Sequence, residues 1–395
     1  MNFKSYNFKN KRALVRVDFN VPIDSNGLVT DSTRIKMVIP TIQKIINDGG
    51  SVVLMSHFGR PKDAPSSDFS LKQIIGSLES LLERKIIFCS DCIGDSSFKT
   101  TKNLENGSIV LLENLRFYKQ EKQGDKDFAL KLSNHGDVYV NDAFGSAHRA
   151  HASTSVIANY FPNDKTFGFL IENEILSVDK VLNSNSHPLT AIVGGAKVSS
   201  KITIISKLLD KVDHLIIGGG MAYTFIKAQN GSIGKSLVED QYVDLALEIL
   251  QEAKEKGVQI HLPSDSLCCK EFSNDLPIEI RPINKIPEDE MGLDIGPDSI
   301  SAFKDVIVNS SLLLWNGPMG VFEMSNFQNG TASIAHSIVK ATENNAFSLI
   351  GGGDSVAAIN LFKLANKVSH VSTGGGAMLE YLEGKQLPGI EAINN

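Results

Sequence analysis

Ser348-Leu-Ile-Gly-Gly-Gly-Asp-Ser355, and its echo Val371-Ser-Thr-Gly-Gly-Gly-Ala377, each set three glycines beside an apolar run and ahead of an apolar-periodic segment. That is the pattern of a buried strand entering a helix through a turn with no side chains in the way. Glycine lets the backbone approach an anion closely, and the unpaired N–H groups of the helix start, at the positive end of its dipole, then point at it. In the first copy Asp354 follows the glycines directly. A carboxylate there stands where a magnesium ion bridging phosphate oxygens needs an oxygen ligand. Two tight turns at strand ends fit either triplet taken alone, so the surrounding chain has to separate the readings.

Outward from these triplets, short β-branched runs alternate with helical patterns along the whole chain. In the first half strands are expected at 13–18, 52–56, 86–89, 109–113 and 138–142, with helices near 34–48, 71–84, 126–134 and 155–160. In the second half strands are expected at 189–193, 214–217, 259–262, 312–315, 348–350 and 370–371, with helices near 199–210, 242–256, 331–342 and 356–365. This βα repetition predicts an α/β protein of two doubly wound, parallel-sheet (Rossmann-like) domains. Residues 169–185 read as a helix running into a polar Asn-Ser-Asn-Ser stretch before Pro188, short enough to act as a hinge. The expected divisions are 1–170, a hinge and linker at 171–188, and 189–376.

Composition narrows the task. The chain has 395 residues, 42% apolar and 21% charged, which suits two globular domains. Met1-Asn-Phe-Lys-Ser-Tyr-Asn-Phe8 has no apolar core of a leader, and no run approaches the ~18 apolar residues of a spanning helix. A soluble cytoplasmic protein is the expectation. A net charge of −6 argues against nucleic acid or membrane as the main partner. Cys89, Cys92, Cys268 and Cys269 match neither a disulfide framework nor a four-ligand zinc spacing, so reduced structural thiols are expected. Seven of the eight arginines lie in the first 150 residues, whereas 22 of the 32 glycines follow residue 150. The first half is equipped to grip anions with guanidinium groups and the second with backbone amides.

Ligands of open α/β sheets bind beyond the C-terminal ends of the strands. The first strand ends in Asp18 and Asn20, short polar groups able to bond a substrate hydroxyl; the second ends in Ser56-His-Phe-Gly-Arg-Pro61, the fourth in Glu113-Asn-Leu-Arg-Phe117. The fifth runs into Asn141-Asp-Ala-Phe-Gly-Ser-Ala-His-Arg149. Arg60, Arg116 and Arg149 therefore converge on one rim, with Arg34 a fourth, and such a set suits a small substrate bearing phosphate and carboxylate. In the second half Lys197 and Lys201 are four apart and, if helical, would share a face at a helix start. Leu314-Trp-Asn-Gly-Pro-Met-Gly-Val-Phe-Glu323 places Glu323 where it could accept ribose hydroxyls. No G-x-G-x-x-G is present, which argues against a nicotinamide dehydrogenase, and Gly231-Ser-Ile-Gly-Lys-Ser236 misses a P-loop because Gln229 stands at its first glycine position.

The blocks RVDFNVP, SHFGRP, ENLRF, VNDAFGSAHRAHAS, GGAKVSSK, GLDIGP, WNGPMGVFE, GGGDS and STGGGAMLE resemble, in order and spacing, those of the phosphoglycerate kinase family. Departures are slight: Phe58 replaces an aliphatic residue, Ile171 a methionine, and Met378 a small polar residue, which is expected to alter packing under the last glycine triplet. The resemblance implies reversible phosphoryl transfer from 1,3-bisphosphoglycerate to ADP, giving 3-phosphoglycerate and ATP with Mg2+, in a monomer. It implies that Asp18, Phe19, Asn20, Arg34, His57, Phe58, Gly59, Arg60, Arg116 and Arg149 hold the glycerate. Lys197, Lys201, Gly292, Asn316, Glu323, Gly352, Gly353, Asp354 and Ser355 would hold the nucleotide, with Asp354 on the metal. Arg34, Lys201, Gly374, Gly375 and Gly376 would stabilise the moving phosphoryl group. Residues 377–395 would return to the first domain, and Glu174 and His370 would couple the domains at the hinge.

Overall fold

Six apolar runs of the first half line up as one parallel sheet: β1 (Arg12–Val17), β2 (Ser51–Met55), β3 (Ile86–Cys89), β4 (Ile109–Leu112), β5 (Val138–Asp142) and β6 (Lys165–Phe167), in the order β3-β4-β2-β1-β5-β6. Strands covered on both faces must be apolar along their whole length, and Ser51–Met55 and Ile109–Leu112 are buried at every position. The structure, a computed structural model, describes residues 1–62 and 64–395.

The remaining strands are β7 (Leu189–Val193), β8 (His214–Ile217), β9 (Ser232–Ile233), β10 (Gln259–His261), β11 (Asp265–Cys269), β12 (Glu279–Pro282), β13 (Lys285–Ile286), β14 (Met291–Ile295), β15 (Leu312–Asn316), β16 (Phe347–Ile350) and β17 (His370–Val371). A second six-stranded parallel sheet has the order β10-β8-β7-β15-β16-β17. The fold is α/β with two six-stranded parallel sheets, as the alternation predicts. The all-parallel expectation omits a three-stranded antiparallel sheet, β12-β11-β14, and a parallel pair, β13-β9. With Tyr223, Ile226, Cys268, Ile283 and Ile286 this insertion forms its own small core. Residues 155–160 are a 3-10 helix, Val156–Tyr160, rather than an α-helix. The helix after the first triplet is Gly353–Leu361, which begins three residues before the predicted 356 and puts Asp354 in its first turn.

The chain divides into two units, Met1–Leu176 with Lys385–Asn395, and Ser177–Gly384, and the helix Phe169–Asn183 carries the chain from one to the other. The returning segment begins at Lys385 rather than at 377. Asn141 Nδ2 donates to the Gly389 carbonyl at 3.0 Å, and Ala392 and Ile393 pack against the first core. The second core is built around Trp315, Phe303, Ile334 and Ile338. All four cysteines are buried free thiols. Among the described residues no helix is long and apolar enough to cross a membrane.

Asp142, at the end of β5, faces the start of the helix Phe169–Asn183, where its Oδ1 accepts the Ile171 N–H at 3.2 Å while Oδ2 is buried without a partner. Burial pushes its pKa up to about 7 despite hydrogen bonds from Thr41, Ile171 and Leu170. The native state keeps this proton to about pH 7, whereas an unfolded chain releases it near 4, so the stability Asp142 contributes falls as pH rises through that window. Asp142→Asn keeps the acceptor without the charge. Its unfolding free energy, from urea titrations, should gain on the parent between about pH 4 and pH 7 and level off above. A difference that ignores pH would refute the assignment.

Candidate active site

In the first unit the strand ends deliver their polar groups to one rim. Asp18 and Asn20 follow β1 directly, His57 follows β2, and the loop after β2 brings Gly59 and Arg60 alongside. Arg34 Nη1 donates to Asp18 Oδ2 at 3.1 Å and to the Asn20 carbonyl at 3.0 Å. Asn20 Oδ1 accepts the Gly59 N–H at 2.8 Å, and the Gly59 carbonyl accepts from Arg116 Nη1 at 2.6 Å. One continuous chain of bonds thus joins Arg34 to Arg116. Burial pushes the Asp18 carboxyl upward, but the charges of Arg34 and Arg16 and the Asn20 N–H oppose it, and the pKa stays below its ordinary value.

Arg60, Pro61, Arg116, Lys122, Arg149 and His151 line a hollow of about 360 Å³. Arg116 is nearly buried, and its Nε has no hydrogen-bond partner. Burial first, then repulsion from Arg149 and Arg16, bring its pKa down to about 10. A buried donor left unmade costs about 1–3 kcal/mol, more on a charged group. An oxyanion arriving in the hollow offsets the repulsion between Arg116 and Arg149. Arg149, with Nε 3.2 Å from His148 Nε2, lies at the same hollow, and Arg60 is exposed at its edge.

Phe19 and Phe58, predicted among the glycerate-holding residues, have buried side chains and serve as packing beneath the rim. What sequence reasoning missed lies one layer lower. Arg16 is buried, with Nε donating to Ser153 Oγ at 2.9 Å and Nη2 at 3.2 Å from His57 Nδ1. Guanidinium only donates, so His57 Nδ1 accepts and the ring carries its proton on Nε2. Burial, with Arg16, Arg116 and Arg149, holds the His57 pKa well below the usual value against the pull of Asp18, so the ring is neutral. Glu121 Oε1 accepts from Ser153 Oγ at 2.6 Å and closes this network.

In the second unit, Gly195, Ala196, Lys197, Ser200, Lys201, Asn316, Gly317, Gly352, Gly353 and Asp354 line a cavity of about 270 Å³. Gly352 has φ +88, and a Cβ there would meet Asn316 Nδ2 at 2.6 Å, so glycine is required twice over. Asn316, at the end of β15, accepts from Lys201 Nζ and donates from Nδ2 to the Gly351 carbonyl at 2.9 Å, tying the lysine to the first triplet. Burial lowers the Lys201 pKa and Asp354 pulls it back up.

Lys197 and Lys201 reach this cavity differently from expectation. Residues 198–200 form a 3-10 turn and the α-helix starts at Ile202, so the two lysines flank the turn instead of sharing a helical face. Ser355 is buried and its Oγ accepts the Gly317 N–H, which makes it a tie between two loops. The Gly374 N–H is donated to Ser372 Oγ at 3.0 Å, whereas Gly375 and Gly376 open the helix Gly376–Leu382, whose first N–H groups lack intrahelical acceptors. Met378 packs under Gly351, the first triplet rather than the last.

Beside this cavity a larger one, of about 490 Å³, is lined by Gly219, Gly220, Tyr223, Leu237, Phe272, Met291, Gly292, Leu293, Pro318 and Glu323, with Asp354 facing both. It is mostly apolar and fits a flat ring, with Glu323 at its edge. A Cβ on Gly292 would collide with the Tyr223 and Ser266 hydroxyls, which explains that glycine. Of this wall Gly292, Glu323 and Asp354 were anticipated. The signal available for the rest was Ile217-Gly-Gly-Gly-Met221, a third strand–triplet–helix junction. Among the described residues no three His, Cys, Asp or Glu side chains converge on one ion. A lone carboxylate beside a phosphate cradle is nevertheless the donor set expected for Mg2+, which keeps several waters and binds through one or two carboxylates plus phosphates.

Comparison with known proteins agrees with this geometry. A family model described as phosphoglycerate kinase matches residues 3–385. A phosphoglycerate kinase of Porphyromonas gingivalis is 50% identical over 417 aligned positions that cover 100% of both chains. One from Acaryochloris marina is 48% identical over 100% of this chain and 98% of its own. Among solved structures, phosphoglycerate kinase from Coxiella burnetii superposes with a TM-score of 0.89 at 39% identity, covering 99% of this chain and 97% of that one. The Pyrococcus horikoshii enzyme gives 0.84 at 30% identity, over 98% and 97%. The chain therefore belongs to the phosphoglycerate kinase family, phosphotransferases whose acceptor is a carboxyl group.

Proposed function

We propose that the protein transfers a phosphoryl group reversibly between 1,3-bisphosphoglycerate and ADP, with Mg2+, giving 3-phosphoglycerate and ATP in glycolysis and gluconeogenesis, as a cytoplasmic monomer. The observation that carries this reading is the hollow lined by the guanidinium groups of Arg60, Arg116 and Arg149. It suits a small, multiply charged glycerate, whose hydroxyl would be met by Asp18 and Asn20. The neutral His57 offers one ring N–H, and Arg34, Arg60, Arg116 and Arg149 take the anionic oxygens. Lys197, Lys201 and the amides at Gly352 and Gly353 would hold the nucleotide phosphates, with the base against Leu293 and Tyr223 and the ribose at Glu323. Asp354 would ligate magnesium, which when bound neutralises phosphate charge.

No general base is required. The nucleophile is a phosphate oxygen in one direction and a carboxylate, ionised at neutral pH, in the other. Catalysis reduces to alignment and to stabilising charge on the group in flight, assigned to Arg34, Lys201 and the amides of Gly375 and Gly376. The first unit with its returning tail acts as the glycerate domain and 177–384 as the nucleotide domain, with the connecting helix as hinge. Closure of the two excludes water that would hydrolyse the acyl phosphate. A coupled assay with 3-phosphoglycerate, ATP and magnesium should show turnover that needs all three. Absence of turnover in folded protein would refute the reading.

A further inference from the structure

We propose that His214 and His261 form a two-histidine site for a divalent transition-metal ion of the zinc class, at the outer edge of the second sheet. His214 opens β8 and His261 ends β10, the edge strand of that sheet. In the parallel register His261 pairs with Ile216, and Ile216 shares a sheet face with His214 two residues before it. The two imidazoles therefore project from the same face of neighbouring strands. His214 Nδ1 lies 3.2 Å from His261 Nε2, and the ring centres are 5.2 Å apart.

These two distances are compatible with a shared ion. Nitrogens ~2.05 Å from a tetrahedral zinc ion stand about 3.3 Å apart, with ring centres about 5.2 Å apart when both rings aim at the ion. Imidazole ligands suit the zinc class of divalent ions. Both rings are half-buried, which leaves the outer coordination positions to water. Without metal, one ring nitrogen donates its hydrogen to the other. When the ion enters, that hydrogen moves to the outer nitrogen of the same ring, so both inner lone pairs bind metal and two neutral rings release no net proton.

The test is a zinc titration of the full, nucleotide-free chain by equilibrium dialysis, in the parent, His214→Gln, His261→Gln and His187→Gln. His187, hydrogen-bonded through Nδ1 to Asp213 at 2.7 Å, serves as the surface-histidine control. One saturable ion per chain is expected in the parent and in His187→Gln. Loss of an outer-sphere partner of a metal ligand already costs about 10–100-fold, so loss of either ligand should weaken binding by roughly a hundredfold or more. Phosphotransfer should be unchanged in all three variants, and excess Mg2+ should not displace the zinc. Unweakened binding in either His214→Gln or His261→Gln, displacement by Mg2+, or no saturable binding in the parent would overturn the proposal. Should a variant fail to fold, the 15N spectrum of the parent's histidine rings decides. Joint coordination shifts at His214 Nδ1 and His261 Nε2 support the site, and their absence overturns it.

Discussion

Replacing Arg34 by alanine is expected to lower kcat by about a thousandfold or more, the scale of arginine-finger losses, with nucleotide affinity nearly unchanged. The hydrogen bonds of Arg34 both leave from Nη1, one to the charged Asp18 and one to a fixed carbonyl, and the side chain is 36% exposed. The guanidinium is thus held through one terminal nitrogen, with Nε and Nη2 left for a transferring group. Because its partner Asp18 is buried, Arg34→Ala should also cost some stability, so kcat is to be measured under conditions where the variant is folded. Steady-state kinetics with calorimetric ADP binding would check it. Unchanged kcat would remove Arg34 from the mechanism.

The second large effect is expected at Lys201. Lys201→Met should reduce kcat by about a hundred- to thousandfold, the range for removing one preorganised donor at a developing charge. Its ammonium is tethered by Asn316, which is itself bonded to the Gly351 carbonyl, so the charge is fixed before substrate arrives. Lys197 lines the same cavity but is exposed, and Lys197→Met should act mainly on the nucleotide KM. Equal losses of kcat in the two variants would contradict this division of labour.

The parts that were legible in the sequence are those whose physics is local. Strands buried on both faces read as unbroken apolar runs, and a strand entering a helix past several glycines has few other uses. The antiparallel insertion was not legible because its strand Glu279–Pro282 is largely exposed and carries no period-two pattern. The helical face proposed for Lys197 and Lys201 failed because the 3-10 turn between them was not coded by any residue preference. Arg16 was readable in part. An arginine inside the buried run Arg12–Val17 requires an acceptor, but its link through Ser153 to Glu121 is set by tertiary contacts that spacing does not reveal. The bond from the Gly317 N–H to Ser355 Oγ was not legible either, since a hydroxyl beside glycines serves backbone and phosphate equally well.

The central claim is that each unit grips its own anion. The direct measurement is a pair of backbone amide NMR titrations on the same protein, one with 3-phosphoglycerate alone and one with ADP and magnesium alone. The account predicts first-unit shifts around Gly59, Arg116 and Arg149 in the former, and second-unit shifts around Gly195, Gly292 and Gly353 in the latter. Shifts from 3-phosphoglycerate centred on the second-unit glycine loops, or from ADP centred on the guanidinium hollow, would contradict it.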